Sequence, residues 1–393
     1  MSPALDNIPP DREDGSSSFV HQALIATGHL GQVNPLFLLP LWALLALIIG
    51  LFWGPFAWAA ALAFACLILV DWVLLACLPY AGRSWGPVTP SLLGLGLVHA
   101  LLFGLSSVFR LQPIALGIVI LVNALITVIA FYATWIEPFR IEVAHRTYPV
   151  AGGGGDRPRR FAHVSDIHFE GPSPRERGLL ELLKAHAPDV VLLTGDYLNL
   201  SSVYDPEAQQ GVRELLASIE APLGIYAITG SPVVDIQGIV PEIFEGLPIH
   251  WLDDDAAPIV IDECPIWLMG VRNTYNEARD AAALQRLAAA LPEDSTRILL
   301  YHTPDLMPVA AALGIDLYLC GHTHGGQLRL PFYGALATSS KWGKRYEHGA
   351  YREGNTTLYV SRGLGVEGLG APRARFLAPP EIIFWDFKPS DVS

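Results

Sequence analysis

Charged side chains are scarce in this chain, and acids outnumber bases among those present. Only 16% of the 393 residues are Asp, Glu, Lys or Arg, and the formal net charge is −13. Proteins that bind nucleic acid need clustered Lys and Arg to meet the phosphates. The composition therefore argues against a nucleic-acid partner.

Cysteines are few, and the sequence shows no pattern typical of an N-terminal export signal. The four cysteines have no paired spacing, which predicts neither a disulfide framework nor a Cys-type zinc site. The first apolar run begins late and follows no positively charged segment, so we expect no signal peptide. Residues 1–33 are polar and rich in Ser, Pro and acids, and we expect a disordered tail there.

Long apolar runs are what the sequence has in abundance, and they fall between residues 34 and 138. Each of the four runs holds about twenty residues or more, enough to cross a hydrocarbon core. Trp and Tyr lie near their ends, as at membrane interfaces. We predict a four-helix transmembrane region in a lipid bilayer from PLFLLPLWALLALIIGLFWG, PFAWAAALAFACLILVDWVLLACLP, PSLLGLGLVHALLFGLSSVF and LQPIALGIVILVNALITVIAFYATWI.

The arginines near the apolar runs predict how the chain is oriented. Four spans put both termini on one side, and only Arg110 then lies on the other side. Because positive residues favour the cytoplasmic side, we expect a multi-pass membrane protein with a cytoplasmic C-terminal domain. The arginines assigned to that side are Arg12, Arg83, Arg140, Arg146, Arg157, Arg159 and Arg160.

Asp71 lies inside the second apolar run, where an acid is a functional-site candidate. The other three runs contain no Lys or Arg to pair with it. A structural hydrogen bond or a misplaced span boundary are the alternatives. The same alternatives apply to His99 and Asn123.

The pattern changes after residue 138. Residues 139–160 predict a connecting strand, FRIEVAHRTYPV, and a Gly-rich linker. Residues 161–390 alternate short β-rich runs with helical stretches, which is typical of an α/β domain.

Asp and His follow several of these β-rich runs. Asp166 and His168 end RFAHVSDIHFEG on the same side, because residues two apart on a strand share a face. Asp196 follows DVVLLTGD, where open α/β sheets place their ligands. An Asp there commonly caps a turn, so either motif alone is weak.

Three histidines follow two later runs. His302 ends STRILLYH, while His322 and His324 flank a Thr in GIDLYLCGHTHGG. A lone His is ordinarily structural. Acids and imidazoles at four strand ends together indicate a metal site.

At this point the chain resembles the calcineurin-like metallophosphoesterase superfamily, in its membrane-anchored bacterial branch. HVSDIH, LLTGDYLN, LLYHTPD and CGHTHGGQLRLPFYG follow the family's order, and the likeness runs from about Ile136 to Phe387. The resemblance implies a two-layer β-sandwich flanked by helices, with a two-metal site at the strand ends.

The resemblance also implies how the ligands divide. One metal would be held by three residues and the second by two, while one acid bridges both and positions the nucleophilic water. Imidazole and carboxylate ligands suit Mn, Fe or Zn. The groups are Asp166, His168 and His324 for the first ion, His302 and His322 for the second, and Asp196 as the bridge.

The third family motif is altered. The family has Gly-Asn-His, whose Asn completes the second metal's shell and whose His helps to protonate the leaving group. Here YAITGSPVVD places Ser231 and Pro232 at those positions. Ser231 is at most a weak ligand, and Pro232 donates nothing. Whether Asp235 replaces a lost group is left open.

Other residues are weaker candidates for the site. Asn199 and Arg362 are candidate substrate contacts, each with a structural alternative. His163 and His348 are candidate replacements for the missing His, although structural roles are preferred for both.

These motifs predict a membrane-anchored, metal-dependent phosphoric ester hydrolase. Its substrate would be a phosphorylated small molecule or a lipid-linked phosphate or pyrophosphate, with general phosphodiesterase activity as an alternative. A second hypothesis is a pseudo-enzyme that binds metal or phosphate as a sensor, because the third motif is lost. A third is a transporter or channel with an appended domain, which rests only on Asp71 and Asn123.

Overall fold

A computed structural model describes residues 27–109, 112–150, 158–261, 264–292 and 294–389. Most of the expected tail, the centre of the expected linker, and Arg12, Arg110 and Arg157 lie outside the described residues. The chain forms two compact units. One is helical and ends at Ile136, with Gly368–Ala374 added to it, and the other contains Glu137–Glu367 and the residues from Arg375 onwards.

The helical unit contains four long helices, one for each predicted apolar run. They are α1 (Leu39–Phe52), α2 (Ala57–Cys77), α3 (Val88–Ser106) and α4 (Gln112–Phe131). The stretches long and apolar enough to cross a membrane are Pro35–Phe52, Gly54–Cys77, Val88–Ser106 and Pro113–Phe139.

Small and aromatic residues hold these helices together. A Cβ on Gly96 would lie 2.5 Å from the Trp42 ring, so only glycine admits this contact between α3 and α1. Phe64 packs edge-on against Trp42 and Phe103. Large side chains such as Trp58 face outward, as helices in contact with lipid require.

The second unit is built from short strands. In chain order these are β1 (Glu142–Val150), β2 (Arg159–Val164), β3 (Val190–Leu193), β4 (Ile225–Ala227), β5 (Ile249–Trp251), β6 (Asp255–Ile261), β7 (Cys264–Gly270), β8 (Thr296–Leu300), β9 (Leu317–Cys320), β10 (Arg329–Leu330), β11 (Gly334–Ala335), β12 (Gly349–Glu353), β13 (Thr356–Val360) and β14 (Glu381–Pro389).

These strands form two six-stranded sheets and one hairpin. The first sheet has the order β1-β14-β2-β3-β4-β5, the second β12-β13-β9-β8-β7-β6, and β10 pairs with β11. The predicted strand FRIEVAHRTYPV is β1, which lies parallel to β14 at the edge of the first sheet.

The two sheets pack face to face. Phe161 and Val190 of the first sheet share one buried cluster with Leu268 and Ile298 of the second. The helices of this unit are α5 (Pro174–His186), α6 (Pro206–Ala217), α7 (Val240–Phe244), α8 (Glu277–Ala290) and α9 (Met307–Ala312). Leu284 of α8 and Met307 of α9 cover the outer face of the second sheet. The structure is therefore the predicted β-sandwich flanked by helices.

Parallel neighbours bring the predicted motifs to common edges. β2, β3 and β4 run parallel in the first sheet, and β8 and β9 run parallel in the second. Each of the six candidate metal ligands, and Ser231, follows the carboxyl end of one of these strands. Because parallel strands end at the same edge, the loops that carry the site lie side by side.

Candidate metal centre

The backbone is strained where the candidate ligands lie. Non-glycine residues rarely adopt positive φ, and such strain persists where the surrounding structure enforces it, often at functional sites. Five of the six candidate ligands have positive φ, namely Asp166 (51°), His168 (44°), Asp196 (56°), His322 (70°) and His324 (51°).

Two glycines allow the loops to approach the candidate acids. A Cβ on Gly230 would lie 2.2 Å from Asp196 Oδ1, and one on Gly321 would lie 2.0 Å from Asp166 Oδ2. Any larger residue at either position would push a carboxylate away. The glycines of YAITG and CGHTH are therefore required by packing around the site.

The first cluster consists of Asp166, His168 and His324, whose ligand atoms lie within 4.8 Å of one another. His168 Nε2 is 3.1 Å from His324 Nε2, and the latter is 3.8 Å from Asp166 Oδ1. All three residues are buried. The amide of His322 donates to Asp166 Oδ1 at 2.9 Å and fixes its direction.

The second cluster consists of Asp196, His302 and His322. His302 Nε2 is 3.2 Å from Asp196 Oδ2 and 3.2 Å from His322 Nδ1. Ser231 Oγ lies 3.2 Å from both Asp196 Oδ2 and His302 Nε2. It therefore adds a fourth possible ligand atom to those of the three residues in this cluster. Metal bonds of about 2.0–2.2 Å would separate tetrahedral ligands by about 3.3–3.6 Å, so these residues fit a divalent ion.

Asp196 lies between the two clusters. Its Oδ2 is 3.2 Å from His302 Nε2 in one cluster and 3.6 Å from His168 Nε2 in the other. From this position Asp196 could contact an ion in either cluster. His302 Nδ1 lies 2.8 Å from the carbonyl of Thr194 and donates to it, which leaves Nε2 free to face the cluster.

Electrostatics favour a cation between these groups. Burial raises the pKa of Asp196, but the combined effect of His302, His168 and His322 is larger and opposite. The pKa of this carboxyl group therefore falls well below its usual range. Burial lowers the pKa of His302, yet Asp196 raises it to about 10. A positive charge therefore stabilises the buried carboxylate, and a metal ion can replace the proton that supplies it.

Asp235 does not enter either cluster. It is buried and accepts hydrogen bonds from the backbone amides of Asp196 (2.8 Å), Tyr197 (3.0 Å) and Gly230 (2.7 Å). Burial and the nearby Asp196 raise its pKa to about 7. The question left open by the sequence is answered: Asp235 holds the backbone at Asp196 and its carboxylate does not enter either cluster.

The two predicted substrate contacts are both engaged elsewhere. Asn199 is fully buried, its amide nitrogen donates to the Val366 carbonyl at 2.8 Å, and its oxygen accepts from the Ser201 amide. This arrangement gives Asn199 a role in loop structure in place of the predicted contact. The guanidinium of Arg362 lies 2.9 Å from Glu142 and 2.9 Å from Glu381 and would have to exchange these partners for a phosphate.

The two candidate replacements for the missing His differ in position. His163 is fully buried and 2.9 Å from Thr194 Oγ1, and burial lowers its pKa to about 3. His348 is half-buried, and a Cβ on Gly325 would lie 3.5 Å from its ring. Burial, Arg329 and Arg362 lower its pKa to about 4. His348 is thus beside the His324 turn, whereas His163 is a core residue.

Sequence reasoning missed Arg375, which is fully buried beside the first cluster. Its Nη2 lies 3.3 Å from His324 Nδ1 and donates to the carbonyl of Arg362, while Nη1 donates to that of Ala378. Burial lowers its pKa to about 9. An Arg in a loop is ordinarily exposed, so nothing in RARFLAPP separated it from its neighbours.

Known proteins resemble this chain over the same region. The model of the calcineurin-like phosphoesterase family matches residues 159–231. The chain is 30% identical over 269 residues to the uncharacterized metallophosphoesterase YkuE of Bacillus subtilis. The aligned region covers 65% of this chain and 89% of that protein.

Two further relatives have more specific names. The phosphodiesterase YaeI of Escherichia coli is 28% identical, over 53% of this chain and 76% of its own length. The UDP-2,3-diacylglucosamine pyrophosphatase LpxG of Chlamydia trachomatis is 24% identical, over 57% of this chain and 84% of its own length. With its fold, its strand-end clusters and these relatives, the chain belongs to the calcineurin-like metallophosphoesterase family.

Proposed function

We propose that this protein hydrolyses a phosphodiester or pyrophosphate bond with two divalent transition-metal ions. The observation that carries the proposal is the pair of buried clusters with Asp196 Oδ2 between them. Two bound ions would clamp the phosphate, acidify a water and stabilise in-line displacement. One ion would be held by Asp166, His168 and His324. The other would be held by His302 and His322, with Ser231 as a weak ligand, and Asp196 would contact both ions.

The altered third motif favours substrates whose leaving group needs no proton. Pro232 cannot donate a proton, and the hydroxyl of Ser231 faces Asp196 and His302. An alkoxide leaving group is strongly basic, whereas a phosphate leaves as a weak base, with a second pKa of about 6. Cleavage of a pyrophosphate bond therefore suffers least from the loss of a general acid.

A lipid-linked substrate is the class we favour. Four stretches of this chain are long and apolar enough to span a bilayer. The relative LpxG carries the name of a pyrophosphatase acting on a diacylated sugar nucleotide. Together with the preference for a phosphate leaving group, these observations support a membrane-borne pyrophosphate or phosphodiester as the substrate.

The test uses the full chain in detergent, loaded with Mn, and aryl and alkyl phosphodiesters of graded leaving-group pKa. Asp196→Asn should abolish turnover of every substrate. Wild-type rates should fall steeply as the leaving group becomes more basic. Ser231→Asn/Pro232→His should flatten this dependence and accelerate the alkyl substrates by about 10²–10⁴-fold, because a positioned acid contributes about that much.

Asp205→Asn is the matched control, since Asp205 is exposed and only caps α6. It should leave all rates unchanged. The altered motif also supports a metal-binding sensor without turnover. Bound metal, no hydrolysis by the wild type, and activity only in the double variant would establish that second function and overturn the first.

A further inference from the structure

The hairpin of β10 and β11 exposes its apolar tip, which is Pro331, Phe332 and Tyr333. Phe332 is fully exposed, and Tyr333 is 60% exposed. Leu330 and Leu336 beside the tip are 47% and 54% exposed. Apolar side chains gathered at one loop tip indicate a surface that binds something apolar.

The backbone also holds the tip in an unfavourable conformation. Phe332 has a φ of 64°, which is unusual for a bulky residue. Asn or Asp would adopt this conformation more easily, and either would be better solvated. Neither folding nor solubility therefore explains Phe332, and its side chain serves a contact outside this unit's own core.

A cation lies against the same tip. Lys344 Nζ is 3.2 Å from the centre of the Tyr333 ring and donates to the Tyr333 carbonyl. Lys344 Nζ also lies 3.9 Å from Glu347 Oε1, and the nearby Lys341 and Arg345 are paired with Glu277 and Glu353. An aromatic ring with an amphipathic lysine is the combination that lies at the level of lipid headgroups, with the ring in the acyl boundary and the ammonium at the phosphates.

The base of the hairpin is fixed to the candidate metal centre. Arg329 Nη1 donates to the carbonyl of Gly325 at 2.8 Å, and Gly325 follows His324. A Cβ on Gly326 would lie 2.3 Å from Ala335 Cβ, so the ligand turn and β11 are in close contact. A surface bound at the tip is therefore brought to the mouth of the site.

We propose that the β10–β11 hairpin inserts Phe332 and Tyr333 into the bilayer surface and presents lipid-borne phosphates to the metal centre. The inference rests on the proposed hydrolysis only for its kinetic consequence, whereas bilayer contact is independent of it. The occupant is the headgroup region of a lipid bilayer, and the four candidate spans of the chain make such a surface available.

The structural test places one copy of the full chain per lipid nanodisc. Cys66, Cys77 and Cys264 are replaced by Ala, and a fluorophore is attached through Leu336→Cys. Lipids with quenchers in their acyl chains should quench this label strongly, and Phe332→Asn should reduce the quenching at least twofold. The label on Ser218→Cys, an exposed position on another loop, is the control and should be quenched less.

The kinetic test compares a soluble chromogenic aryl diester with a lipid-linked pyrophosphate in the disc. Phe332→Asn should lower hydrolysis of the lipid at least tenfold and leave the soluble diester unchanged, while Tyr204→Asn, at another exposed aromatic, should affect neither. Equal quenching of the labels at positions 336 and 218 would overturn the proposal. Strong quenching at position 336 that appeared only when two copies share a disc would overturn it as well. No turnover of either substrate, with quenching intact, would instead count against hydrolysis.

Discussion

His163 carries a titratable ring into the core, three residues before Asp166. It is fully buried, and Thr194 Oγ1 is 2.9 Å from its Nε2. Burial lowers its pKa to about 3, so the folded protein keeps this ring neutral under mildly acidic conditions. An unfolded chain binds a proton there near pH 6.5, which makes the residue a source of acid sensitivity.

We expect His163→Gln to weaken the pH dependence of stability. Because the folded pKa is depressed, the stabilisation is complete above about pH 6.5 and decreases as pH falls toward the folded pKa. Between pH 7.5 and 5 the wild type should lose about 2 kcal/mol more than the variant, which can still donate to Thr194. Urea unfolding in detergent measures the difference, with the exposed His250→Gln as control. Identical slopes for His163→Gln and the wild type would contradict the prediction.

At the same scale, the sequence could identify the candidate ligands but not the residues that hold them in place. Asp166, His302 and their partners were predicted because acids and imidazoles follow buried strands in a recognisable order. The roles of Asp235 and Arg375 depend on bonds to backbone groups, which a sequence does not display. The bond that favours the structural alternative for Asn199 was equally hidden, since its partner Val366 is distant in the chain.

Three helices of the apolar region are joined by one polar chain. His99 Nε2 on α3 is 2.8 Å from Asp71 Oδ2 on α2, and His99 Nδ1 is 2.5 Å from Asn123 Oδ1 on α4. The Asn123 amide nitrogen donates to the carbonyl of Val119, so its oxygen faces the ring. Nδ1 must then donate, and one proton lies in the bond between Nε2 and Asp71. The structural hydrogen bond considered for Asp71 is present.

We expect this chain to stabilise the helices, so its loss should be measurable without any loss of hydrolysis. Asp71→Asn can still donate to Nε2 and should cost little. Asp71→Leu leaves Nε2 without a partner and should cost about 0.5–2 kcal/mol, the range found for hydrogen bonds between membrane helices and for buried polar groups left unpaired. Thermal unfolding in detergent provides the comparison, and turnover per folded molecule should be equal in both variants.

A different outcome would favour the transporter hypothesis. If Asp71→Leu were as stable as the wild type, the chain of polar groups would not be structural. If it abolished a cellular function while hydrolysis stayed intact, the apolar region would have an activity of its own.

Elements differed in how well their sequences predicted them. The four long helices were predicted because twenty apolar residues in a row have few alternatives. Strands β2, β3, β4, β8 and β9 were predicted from apolar runs that end in turn residues. The pairing of β1 with β14 was not predicted. It joins residues 142 and 381, which come together only after the intervening chain has folded.

For the whole molecule, contacts within the helical unit support an even number of spans. Thr89 Oγ1, at the start of α3, donates to the carbonyl of Val33, which precedes α1. Arg83, between α2 and α3, donates to the carbonyl of Trp135 in the fourth span at 2.6 Å. The start of the first span, the α2–α3 loop and the end of the fourth span therefore meet at one end of the helical unit.

This arrangement allows the predicted orientation to be tested. Arg83 follows the second span and Arg140 follows the fourth, so the positive-inside rule predicts that the ends of these two spans lie on the cytoplasmic side. In a background without Cys66, Cys77 and Cys264, single cysteines at Ala81, Val108 and Asp205 would each be exposed. An impermeant maleimide added to intact cells should label only Val108→Cys, and permeabilised cells should label all three. Labelling of Ala81→Cys and Asp205→Cys from outside would reverse the orientation, and a split between those two positions would show that the spans are not four.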